Sequence, residues 1–206
     1  MLNYVDHLKS GASLRSYKKN ARGFSMIEVL VSIVISAIGL LALAGVNAAS
    51  VRYTKMSQYR STATQLANDM GERMRANKGQ DAVAAPPSGS GFFAGDYDFG
   101  TDFAGQATVA TLPVEQCNTA GSNCSPAQIA ALDLAQWRIL VRDQLPEGSV
   151  FLQRQAGQVA MNLWVVWRDP AVGDADEAPA GNQECPNGLS RGADLSIRCS
   201  YFRINL

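Results

Sequence analysis

Four sets of residues in this 206-residue chain have types and spacings that could do chemistry. The first is Glu28, a carboxylate placed at the start of a long apolar run, five residues after Gly23. The second is four cysteines: Cys117, Cys124, Cys185 and Cys199. The third and fourth are the carboxylate pairs Asp96/Asp98 and Asp174/Asp176. A carboxylate at bilayer depth costs about 2.5–3.5 kcal/mol on insertion scales, so Glu28 is a functional candidate unless it merely snorkels at the interface. The other sets do less. Asp96-Tyr97-Asp98-Phe99-Gly100 has the opening of a calcium loop, but not its third oxygen ligand, central glycine and closing glutamate. Its aromatics read as lying over a domain surface. Asp174 and Asp176 sit in a Gly/Ala/Pro-rich acidic stretch that reads as a solvated charge run. The only histidine is His7. If the N-terminal segment is removed or serves as a tail, no imidazole is left for a Ser-His-Asp, Cys-His or His-metal site. The sequence calls for no catalytic residues, no cofactor and no metal.

The cysteines have neither a C-x₂₋₄-C zinc spacing nor a redox C-x-x-C. They read as disulfides on an oxidising side of a membrane. Four cysteines allow three connectivities. Cys117–Cys124 with Cys185–Cys199 is favoured, closing one short loop and tying residues 186–198 to the last strand.

The elements that position these residues follow from charge and periodicity. Charged residues are 17% of the chain and apolar ones 47%, so the chain is not disordered throughout. The formal net charge of zero is unevenly spread. Residues 1–23 carry five bases and one acid, residues 24–78 six and three, and residues 79–206 seven and fourteen. Residues 29–51 carry no charge at all, enough helix to cross a hydrocarbon core about 30 Å thick. The basic flank places residues 1–23 in the cytoplasm and the chain beyond about residue 52 outside it. The run exceeds a secretory h-region, and Ala42-Leu43-Ala44, the one A-x-A site weighed, lies inside it.

Tyr59, Ala63, Leu66, Met70 and Met74 step by three or four, one face of a helix. With no proline from Phe24 to Lys78 and end signals at Asn77 and Gly79, one helix of about 80 Å is expected over residues 24–78. Its first half is apolar all round and its second half amphipathic. Gly39, Gly45 and Gly71 are weak points, and Gly39 and Gly45 read equally as close-packing positions between helices. Residues 79–113 read as loop. Ser125-Pro126 then caps a helix whose apolar face is Ala130, Leu134, Trp137, Val141 and Leu145, ending at Leu145-Pro146-Glu147-Gly148. Strands are expected at 149–155, 158–168 and 197–204, the first two joined through Ala156-Gly157. Val159, Met161, Leu163, Val165 and Trp167 line one face of the middle strand; Trp164 and Val166 imply that the other is covered too.

Gly23-Phe24-Ser25-Met26-Ile27-Glu28, after a basic leader and before a full-length apolar helix, resembles the class III prepilin signal of type IV pilins and type II secretion pseudopilins. Ser25 and Met26 stand where Thr and Leu are commoner. Residues 66–77 are similar to the corresponding stretch of the PilV family of minor pilins. The resemblance implies an α+β pilin-like fold, with a long N-terminal helix packed on a small antiparallel sheet. It implies cleavage between Gly23 and Phe24 by prepilin peptidase and N-methylation of Phe24. The leader would be 1–23, the membrane or filament-core half of the helix 24–51, the amphipathic half 52–78, and the disulfide-bonded outer domain 79–206. Glu28 would pair with the terminal amine of a neighbouring subunit and steer assembly. Partners would be other minor pilins, the major pilin, a pilus-tip adhesin and, before assembly, inner-membrane lipid. The function implied is priming of type IV pilus assembly, supporting adhesion, motility and DNA uptake. The alternatives are a minor pseudopilin of type II secretion and, more distantly, a signal-anchored periplasmic enzyme. The mature chain would carry thirteen bases against seventeen acids, so direct nucleic-acid binding is not expected.

Overall fold

The computed structural model describes residues 23–78, 91–114, 116–119, 121–169, 184–190 and 194–206. His7, Asp174 and Asp176 lie outside the described residues. The layout is α+β and pilin-like: one long N-terminal helix and a small three-stranded antiparallel sheet. Two compact units are distinguished, residues 1–47 and 48–206.

Helix α1 runs from Met26 to Ala76. It starts where the Ser25 carbonyl accepts from the amides of Glu28 and Val29, and ends near Asn77, whose amide donates to Arg73. The expected span was two residues longer at each end.

In the second unit, Ala63, Leu66, Ala67, Met70 and Met74 of α1 are buried, and Tyr59 packs against the same core. Gly71 admits the sheet: a Cβ there would sit 3.3 Å from the Ile204 side chain. Helix α2, Pro126–Gln144, starts with a reciprocal cap. The Ser125 hydroxyl accepts from the Gln128 amide and the Gln128 side chain accepts from the Ser125 amide. Its face Ala130, Leu134, Trp137, Val141 and Leu145 is buried as the 3.6-residue period requires. The Trp137 indole Nε1 donates to the Leu66 carbonyl of α1 at 2.9 Å, so α2 is pinned to α1 by a directional bond as well as by packing. Gly148 lets the chain turn out of α2, since a Cβ would fall 2.2 Å from the Val141 carbonyl oxygen.

The strands are β1 Ser149–Arg154, β2 Ala160–Arg168 and β3 Ile197–Asn205, in the order β1-β2-β3. Met161, Leu163, Val165 and Trp167 face the main core, and Val166 joins a second cluster with Leu189, Ile197 and Cys199, so β2 is covered on both faces. Val159 departs from the expectation. It is 40% exposed and lies in the turn rather than the strand, because Gln158 already bonds back to Gln155 and β2 begins at Ala160, opposite Asn205 of β3.

The loop before α2 also needs correction. Tyr97 is fully buried and Phe99 packs half-buried against the core rather than lying over a surface, and Phe92 is fully buried as well. The chain through residues 91–97 is wound into turns, with Asp96 accepting from the Gly91 amide at 2.7 Å. That closure turns the aromatic rings inward.

Candidate functional site

The residues with functional promise fall in two places. At the N-terminal end, Gly23, Phe24 and Ser25 precede α1 without regular secondary structure. Phe24 is 83% exposed, and from Met26 to Val46 one large apolar side chain after another is exposed. Ser25 accepts the first helical hydrogen bonds, which makes Glu28 the third residue of the first turn. There an anion is favoured by the helix dipole whatever else it does. Two serines of this half satisfy their hydroxyls locally. Ser32 Oγ donates to the Glu28 carbonyl at 2.7 Å and Ser36 Oγ to the Ser32 carbonyl at 2.8 Å. Self-contained hydrogen bonding is what a lipid-facing helix requires, and α1 is long and apolar enough to cross a membrane.

The second place is the disulfide-bonded domain. Cys117 is bonded to Cys124 before α2, and Cys185 to Cys199 on β3. The two bridges lie in different parts of the domain. Among the described residues no group of His, Cys, Asp and Glu could hold a metal ion. Asp96 and Asp98 instead serve backbone amides, those of Gly91 and Arg154.

Three features of this domain escaped the sequence reading. One is a polar network where α1 meets α2. Arg73 binds both Asp69 and Asp133, Tyr97 donates to Asp133 at 2.7 Å, and Asn77 donates to the Tyr97 oxygen and to the Pro126 carbonyl. Burial, reinforced by the Asp133 carboxylate, holds the Tyr97 hydroxyl well above its ordinary value. Another is Arg168, which reaches Glu147 at 2.8 Å and Asp194 at 2.7 Å. Hydrogen bonds from Ser196, then Arg168, hold the Asp194 carboxyl below its ordinary value. The last is Gln106, buried, whose amide closes the outer side of β1 through Val150. Only the pairs Asp69/Arg73 and Asp194/Ser196 are close in the chain; the other partners are far apart.

Residues 18–44 match the family described as a prokaryotic N-terminal methylation motif. That stretch includes Gly23, Phe24 and Glu28. The motif supports a type IV pilin-like protein, a pilin or a pseudopilin, and points to a structural protein rather than an enzyme. It implies processing by prepilin peptidase and assembly with other pilins. With the apolar helix, it fits anchoring in the inner membrane followed by pilus assembly. Neither curated proteins nor solved structures give a significant match to the chain.

Proposed function

We propose that the chain is a minor pilin of the PilV kind, cut after Gly23, methylated on Phe24, and incorporated into a complex that primes type IV pilus assembly and sits at the pilus tip. The observation that carries this reading is the prepilin-type motif set directly against a helix whose first half exposes an uncharged apolar surface. That surface needs lipid before assembly and other pilin helices after it. The basic leader would stay in the cytoplasm and the disulfide-bonded domain would face outward. Glu28, left in an apolar core, would need a cation, and the free amine of a neighbouring subunit is one of matching size. The PilV assignment is favoured by the resemblance of residues 66–77 and by the two disulfides.

The test is mass spectrometry of the mature N-terminus from sheared surface fibres. The expected product begins at Phe24 and carries one added methyl group. Intact Met1 in cells with a working prepilin peptidase would overturn the proposal. Fibres that lack the chain while a type II secretion complex retains it would replace the pilus role with that of a minor pseudopilin.

A further inference from the structure

The two outer edges of the sheet are finished differently. Alternate residues of an edge strand turn their backbone N–H and C=O away from the sheet. On β1 these are Val150, Leu152 and Arg154, because pairing with β2 uses the residues between them. All three are met. Gln106 donates to the Val150 carbonyl and accepts from its amide. Phe99 exchanges two backbone bonds with Leu152, and Asp98 accepts from the Arg154 amide.

On β3 the Leu206 amide bonds to the Val159 carbonyl, which fixes the phase of the ladder. Cys199, Tyr201 and Arg203 therefore turn their backbone groups outward. Among the described residues nothing bonds to them, and the next outward carbonyl, of Asn205, is reached by Arg75 of α1. The bare stretch runs beside an open groove of about 610 Å³ between Arg60 and Thr64 of α1 and the Trp164–Tyr201 ring pair, whose centroids are 5.0 Å apart.

We propose that the edge of β3 from Cys199 to Arg203 is a docking edge that takes an extended acidic strand from another polypeptide. Only an extended backbone supplies alternating donors and acceptors at the spacing of a strand. The charge selects which one. Residues 79–206 carry twice as many acids as bases, yet this edge presents Arg60, Arg198 and Arg203 against Glu184. Arg198 holds Glu184 at 3.1 Å, Arg60 reaches it only at 3.8 Å, and Arg203 bonds to the neutral Gln158. Edge arginines commonly discourage pairing between like edges. Here they disfavour a second copy of this edge and leave two cations to meet carboxylates. On the incoming strand, the residue opposite Tyr201 would lie beside the aromatic pair, and its neighbours would face Arg60.

The test uses the full-length chain in detergent micelles and a blocked heptapeptide alternating glutamate with valine. Amide hydrogen exchange is read by NMR. The peptide should slow exchange at Cys199, Tyr201 and Arg203 at least tenfold and leave Ser200 and Phe202, already bonded to β2, unchanged. Arg60→Glu should weaken binding at least fivefold and reverse the preference towards the lysine–valine peptide. Four results would each overturn the proposal. The peptide has no effect. A version methylated on every backbone nitrogen acts equally well. The three amides are already slow without peptide at any protein concentration, as when residues 170–183 of the chain fill the edge. Or they slow as protein concentration rises, which indicates a second copy.

Discussion

The two halves of helix α1 are built from similar apolar side chains and meet different fates. Ile33, Ile35 and Leu41 are each at least 60% exposed; Leu66, Met70 and Met74 are at most 2% exposed. The difference does not lie in helix propensity, since one unbroken element carries both. It lies in periodicity. The first half is apolar on every face, so no single packing surface could cover it. The second confines its apolar residues to one stripe, which α2 and the sheet can cover. A helix apolar all round needs a surrounding medium or many neighbours; an amphipathic one needs only its own domain.

This contrast predicts where a substitution is felt. The largest effect should come from Trp137→Ala, which empties a fully buried site and frees the Leu66 carbonyl from its indole partner. A loss of roughly 3–5 kcal/mol in domain stability is expected from chemical denaturation of the full chain in micelles. Ile35→Ala should leave the same midpoint in place; a comparable shift there would erase the distinction. Next is the Cys185–Cys199 bridge, which spans 14 positions. Replacing both residues with serine should cost about 3 kcal/mol in the chain-entropy account. Circular dichroism should meanwhile show the uncharged half of α1 still helical.

A single type of change then tests the two halves against each other. Nothing lies within 4 Å of a Cβ built at Gly39, whereas one at Gly71 presses on Ile204. Gly39→Ala should gain up to about 1 kcal/mol of helix stability, and Gly71→Ala should forfeit most of that gain. The smallest effect at neutral pH is that of Tyr97→Phe, about 1 kcal/mol, from the loss of the bond to Asp133. Its signature is alkaline. The folded phenol sits above its ordinary value of 10.0, so its contribution is complete below about pH 10. The contribution falls as the unfolded chain ionises and is lost as the pH rises through the folded value. Tyr97→Phe should abolish that part of the decline in the unfolding free energy.

Much of this was legible in the residues themselves. Ser125-Pro126 announces the start of α2, and the structure adds Gln128 to complete the cap. Val166 signals a sheet covered on both faces, and it lies in the second cluster. What was not legible is the loop before α2. Its aromatics fill the core, and two of its polar side chains close the edge of β1. Gln106 serves Val150, 44 positions away, and Asp98 serves Arg154, 56 positions away. Nothing in either residue's local neighbourhood marks that role. The candidate site divides in the same way. Gly23, Phe24 and Glu28 are recognisable because a processing signal is contiguous; the partner expected for Glu28 would belong to another chain.

The sequence by itself determined the processing motif, the uncharged length of α1, its change from an all-round apolar surface to a stripe, and the cap of α2. Each depends on residues within a few turns of one another, where spacing alone sets which face a side chain occupies. The tertiary structure alone decided that Phe92 and Tyr97 are core. It also decided that Gln106, Phe99 and Asp98 seal β1 while, among the described residues, nothing bonds to the outward backbone groups of β3 from Cys199 to Arg203. A strand's outward hydrogen-bonding groups are identical whatever its side chains, so only the placement of distant segments determines which edge is covered.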